Sequence, residues 1–86
     1  MHKISIEYCV SDYSSHAVGA ITDLLTNYQH IIGETIAING SKGIFDVIVD
    51  GDMLYSKFET GRHAEPGEVL QLFTDKYGEG VARYGT

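Results

Sequence analysis

Lys3-Ile4-Ser5-Ile6-Glu7-Tyr8-Cys9-Val10-Ser11-Asp12-Tyr13-Ser14-Ser15-His16-Ala17 is the stretch on which the fold turns. Its first part alternates, with Ile4, Ile6 and Tyr8 on one side and Ser5 and Glu7 on the other. A period of two built from β-branched and aromatic residues predicts a strand. Cys9 to Ser15 carries turn and N-cap chemistry. From Ser15 the period changes. Ala17, Ala20, Ile21, Leu24, Leu25 and Tyr28 recur at three- and four-residue steps, the stripe of an amphipathic helix. Asp12, Ser14 and Ser15 each carry an oxygen able to cap its start by accepting from a free backbone N–H. Gly33 lies beyond its end.

Working outward, Thr35-Ile36-Ala37-Ile38 reads as a short apolar second strand and Asn39-Gly40-Ser41-Lys42-Gly43 as a loop. Phe45 to Val49 reads as a third strand. Asp50-Gly51 is a hairpin signal, because a type I′ turn needs positive φ at both central positions. Met53 to Lys57 returns as the fourth strand, and Glu59 to Ala64 is a second loop. Pro66 suits the first position of a helix whose apolar face is Val69, Leu70, Leu72, Phe73 and Tyr77, with Gly78 as its stop. The order is β-α-β-β-β-α. A right-handed parallel crossover joins the first two strands. The prediction is a mixed α/β (α+β) fold, a four-stranded sheet with two helices, in the thioredoxin-like arrangement. A ferredoxin-like order needs a further strand after Gly78, and none is credible. One domain over residues 1–86 is expected, with its core over residues 3–78 and a loosely held tail over 79–86.

A chain of 86 residues buries only about 60–65% of the surface its unfolded form exposes, so it has little core to spare for a large internal ligand. No apolar run reaches the roughly 18–20 residues of a membrane-spanning helix. The N-terminus shows no signal-peptide core, which gives the expectation of a cytoplasmic protein without membrane partners. Twelve acidic against six basic residues give a net charge of −6. That balance argues against nucleic acid, whose phosphates call for a basic surplus. The single cysteine excludes an internal disulfide and a multi-cysteine zinc site. No metal and no bound cofactor are expected.

The expected topology gives Cys9 a particular place. It falls where the first strand hands over to the helix, at the edge that carries the helix's partial positive charge and unpaired N–H groups. A thiolate is stabilised there, so the thiol pKa falls and reactivity rises. With strand order 2-1-3-4 and an antiparallel third strand, Ser41-Lys42-Gly43 lies beside Cys9. Strand four ends at the same edge and brings Lys57 towards it, with Arg62 and His63 following.

These residues resemble a known family. Ile6-Glu7-Tyr8-Cys9 followed by a helix is similar to the opening of selenoprotein W-like (Rdx) proteins, of the wider group containing selenoproteins W, T and H. Gly43-Ile44-Phe45-Asp46-Val47-Ile48-Val49-Asp50-Gly51 resembles the family's Gly-x-Phe-acidic-Val-x-Val-x-Gly block. Tyr55-Ser56-Lys57, Thr60-Gly61-Arg62 and Glu65-Pro66-Gly67-Glu68 resemble the segment entering the last helix in prokaryotic members. The resemblance spans residues 3–73. It implies a thioredoxin-like fold and a thiol-based redox role, with glutathione as co-substrate or protein thiols as partners. The family motif is Cys-x-x-Cys or Cys-x-x-selenocysteine. Here it reads Cys9-Val10-Ser11-Asp12, so no intramolecular disulfide or selenenylsulfide forms. Redox chemistry at Cys9 is then monothiol: a mixed disulfide or sulfenic acid resolved by an external thiol. The proline that precedes strand three in a true thioredoxin is also missing, and Gly43-Ile44 occupies the region.

Each site residue has two readings. Cys9 is either a reactive thiol or a buried inert one, since cysteine is among the most buried residue types. Asp12 is a helix cap or a group that takes the thiol proton, and its charge beside Cys9 disfavours the thiolate. Ser11, Lys42, Gly43, Lys57 and Arg62 form the expected partner surface, against plain surface charges and loop positions. Tyr8, Tyr13, Tyr55 and Phe58 border a docking surface or simply pack. His2, His16, His30 and His63 are expected to be solvated. The first function expected is thiol–disulfide exchange or reversible glutathionylation at Cys9. The alternative is a redox-inactive thioredoxin-like module that binds another protein, as a monomer or, through an open sheet edge, a weak homodimer.

Overall fold

A computed structural model describes all residues, 1–86. β1 (His2–Cys9) runs into α1 (Val10–Tyr28), and a short 3₁₀ turn at Gln29–Ile31 leads to β2 (Ile32–Gly40). β3 (Phe45–Val49) and β4 (Asp52–Ser56) form a hairpin, followed by α2 (Lys57–Thr60) and α3 (Glu68–Tyr77). The sheet order is β2-β1-β3-β4. β1 is parallel to β2 and antiparallel to β3, with Ile6 opposite Ala37 on one side and Val47 on the other. The hairpin turns at Asp50 (φ 53°) and Gly51 (φ 86°), the two positive φ values its sequence demands.

Alternation on β1 and β3 sorts the two faces of the sheet. Ile4, Ile6, Phe45, Val47 and Val49 are buried, and with Tyr55 they pack against Ala17, Ala20, Leu24 and Tyr28 of α1 and Val69 and Phe73 of α3. Both long helices therefore cover one face. Full burial of such side chains contributes about 1.5–3 kcal/mol each, and this single cluster is what holds the chain together. The opposite face carries Glu7, Asp46, Ile48 and Met53 and has no long helix on it.

Four local expectations are corrected. α1 starts at Val10, with Cys9 itself as the N-cap residue, and a non-helical Tyr13 (φ −127°, ψ 16°) kinks it after one turn. The helical stripe shows in the sequence only beyond that kink. β2 is nine residues long because it pairs along the whole of β1. Lys57 opens a third, four-residue helix where a strand end was expected. Ser56 caps it by accepting from the Glu59 N–H at 3.3 Å, and Thr60 Oγ1 donates to the Ser56 carbonyl at 3.0 Å. Lastly, α3 begins at Glu68, after a turn at Pro66-Gly67, rather than at Pro66. The last residues lie outside helices and strands but touch α1: Tyr84 N–H donates to the Asn27 carbonyl at 2.8 Å, and Arg83 donates to the Asn27 side chain at 3.0 Å.

Candidate functional site

The junction of β1 and α1 meets the loop before β3. The Cys9 N–H donates to the Ile44 carbonyl at 2.8 Å, which pins the strand end to that loop. The loop turns through two positive φ values, Lys42 (59°) and Gly43 (73°). This conformation suits glycine and brings the Gly43 backbone onto the Cys9 sulfur.

Around Cys9 Sγ stand Ser11 Oγ at 3.5 Å and Asp12 Oδ2 at 3.6 Å. The Ser11 hydroxyl, then the Gly43 amide, pull the thiol pKa below its ordinary value. Burial and the hydrogen bond to the Asp12 carboxylate push the other way, and the Asp12 amide adds a smaller downward pull. The net direction is down. Cys9 is only 5% exposed, so the sulfur lies beneath the surface rather than on it. Asp12 occupies the first turn, not the cap. Its carboxylate is spent on the thiol.

Lys57 reaches the same corner from α2. A Cβ built on Gly43 would lie 3.7 Å from Lys57 Nζ and 3.9 Å from the Tyr13 ring. The ammonium sits 5.4 Å from the Tyr13 ring centroid, a cation–π contact. Ser11, Asp12 and Gly43 are thus gathered at Cys9, with Lys57 beside Gly43 and Tyr13. Lys42 is exposed on the adjoining loop. Arg62 is turned elsewhere: its guanidinium grips Glu68 through two bonds of 2.7 and 2.6 Å. That pairing raises its pKa further and lowers that of Glu68 to about 2.

The reading of the histidines as solvated is corrected at two positions. His63 packs edge-on to Tyr13 with centroids 3.8 Å apart and stacks on His16 at 4.6 Å. Its Nδ1 is buried and has no hydrogen-bond partner. Burial, the neighbouring His16 and Lys57 hold its pKa below the usual histidine value, against an opposing pull from Asp12. His2 packs on Tyr77 at 4.7 Å and bonds Asp50 at 2.6 Å. Neither partnership is written in a local pattern. Each needs α1 or α3 to meet a residue distant in sequence. Tyr8 and Tyr55 bond Asn39 and the Arg62 carbonyl, so their hydroxyls serve packing. The groups present include no cluster of three or more metal-ligating side chains.

The Rdx family model matches residues 3–75 of this chain. A solved structure from Bordetella parapertussis is similar, with a TM-score of 0.77 at 24% identity over 86% of this chain and 95% of that one. A selenoprotein W-related protein from Vibrio cholerae also has a TM-score of 0.77, at 19% identity over 86% of this chain and 94% of its own. At these identities the two structures speak to the fold. No functionally curated protein matches.

Proposed function

This chain belongs to the Rdx family, and on that premise we propose that it is a small monothiol redox protein acting through Cys9. The observation that carries the reading is the Ser11 hydroxyl 3.5 Å from the one sulfur at a helix start, with the Gly43 backbone beside it. They favour the thiolate, the nucleophilic form. The Cys9 proton leaves first. The thiolate then attacks one sulfur of glutathione disulfide or of a protein disulfide. A new S–S bond forms, and the other sulfur departs with the electron pair of the broken bond and is protonated. A second, external thiol reverses the step and restores Cys9. Asp12, whose carboxylate accepts from the thiol, would take up and return the Cys9 proton. Lys57 would draw the carboxylates of glutathione or an acidic segment, and Lys42 would extend that attraction. The cytosol is the setting this chemistry suits.

The test is the alkylation rate of Cys9 by iodoacetamide in the native protein, from about pH 4 to about pH 10, against the unperturbed thiol value of about 8.5. An apparent pKa below that value is the expected result. A shielded or ordinary thiol would overturn the reading. The 5% exposure of Cys9 favours the rival reading, a protein-binding module without redox chemistry. That rival predicts partner binding indifferent to alkylation.

A further inference from the structure

We propose that the groove on the uncovered face of the sheet, walled by Met53 and Phe58, binds an extended protein segment carrying an arginine or lysine beside an apolar side chain. The inference stands on the groove and does not require the thiol chemistry.

The groove holds about 760 Å³ and runs from the Gly43 loop across the ends of β3 and β4. Phe58 stands on its rim, 94% exposed. The four-residue α2 fixes it there: Ser56 caps the helix start and Gly61 (φ 73°) closes its end, so the ring is presented outward by anchored backbone. Met53, 41% exposed, continues the apolar wall. An exposed phenylalanine held on anchored backbone is apolar surface that a partner can bury.

The floor supplies the charge. Glu7 and Asp46 are direct cross-strand partners on this face, a pairing of like charges that destabilises a sheet. Neither has an ion-pair partner within the chain. One oxygen of Asp46, Oδ1, is buried without a hydrogen-bond partner. A buried carboxylate oxygen left unpaired is costly, and a cation brought against this half-buried side chain offsets that cost. Glu59 adds a third carboxylate to the lining. Lys42 and Lys57 also line the groove, and Lys57 Nζ is drawn onto the Tyr13 ring, so the partner's basic residue belongs over the Glu7–Asp46 pair. A net charge of −6 sets a second copy of this chain against itself and favours a partner that is locally basic.

The test is fluorescence anisotropy with three short labelled peptides free of cysteine: one with Phe and Arg adjacent, one with Phe and Glu, one with Ala and Arg. The Phe–Arg peptide is expected to bind at least about tenfold more tightly than either of the others. Phe58→Ala and Asp46→Asn should each remove most of that preference. Asp75→Asn takes the same charge from α3 and should leave it unchanged, which separates the groove from general attraction to an acidic protein. Phe58 makes no core contact, so its variant keeps the fold, and urea unfolding checks this. Equal binding of the three peptides would overturn the proposal. So would indifference to both groove substitutions, or a self-association abolished by Phe58→Ala. Iodoacetamide rates are measured in parallel. An inert Cys9 refutes the redox reading and leaves the binding result intact, and a failed groove leaves a reactive Cys9 standing.

Discussion

Replacing Gly43 by alanine separates the two contributions of the loop before β3. Gly43 has φ 73°, and an added Cβ meets nothing closer than Lys57 Nζ at 3.7 Å. There is room for the methyl, so the cost is backbone strain alone. An L-residue in the left-handed region pays about 1 kcal/mol relative to glycine. The control is Gly61→Ala, where φ is also 73° and nothing lies within 4 Å of the added atom. The two variants should lose equal stability, a fall in Tm of about 4–8 °C and in urea midpoint of roughly 1 M. Against a total of roughly 4–13 kcal/mol for a domain of this size, both stay folded. They diverge at the sulfur. Relaxing the strain at Gly43 turns its N–H away from Cys9, so the thiol pKa rises in Gly43→Ala and holds in Gly61→Ala. Urea unfolding and the pH profile of alkylation read the two effects. Equal stability losses with an unchanged thiol titration in Gly43→Ala would refute the assignment of Gly43 as a thiolate donor. A Gly61→Ala variant as stable as the parent would refute the strain estimate.

Ser11→Ala and Asp12→Asn should move the Cys9 titration in opposite directions: upward when the hydroxyl donor is lost, downward when the carboxylate is neutralised, both read by alkylation near neutral pH. Phe73 is fully buried between Tyr28 and Tyr77, so Phe73→Ala should cost about 3–5 kcal/mol by urea unfolding, a large part of the total. Arg62 lowers the Glu68 carboxyl from 4.5 to about 2, so its contribution is present above pH 4.5 and is lost as pH falls from there towards 2. Stability measured across that window should decline less steeply in Glu68→Gln than in the parent.

Much of the frame was legible before the structure. The change of period from Ser15, the Asp50-Gly51 turn and the β-branched third strand together give the β-α-β-β-β-α order, which a thioredoxin-like sheet of strand order 2-1-3-4 satisfies. The placement of Gly43 beside Cys9 followed from that order. The start of α1 was hidden because Val10 to Asp12 is exposed and the helix kinks at Tyr13, so no buried apolar stripe marks it. α2 was hidden because four residues are too few to show a helical period, and the Ser56, Thr60 and Gly61 contacts that hold it are fully local only once β4 has ended. The His16–His63 stack and the Glu7–Asp46 opposition arise from tertiary approach and strand register. Alternation says which face a residue is on, but not what stands beside it.

The central claim is that Cys9 is a working monothiol, and incubation of the native protein with glutathione disulfide at mildly alkaline pH tests it most directly. Intact-mass measurement should show one glutathione per chain, removed by dithiothreitol and absent from a Cys9→Ser variant that unfolds at the same urea concentration. A native protein that stays unmodified, while the urea-unfolded chain takes up glutathione readily, would contradict the claim and place Cys9 among the inert buried thiols.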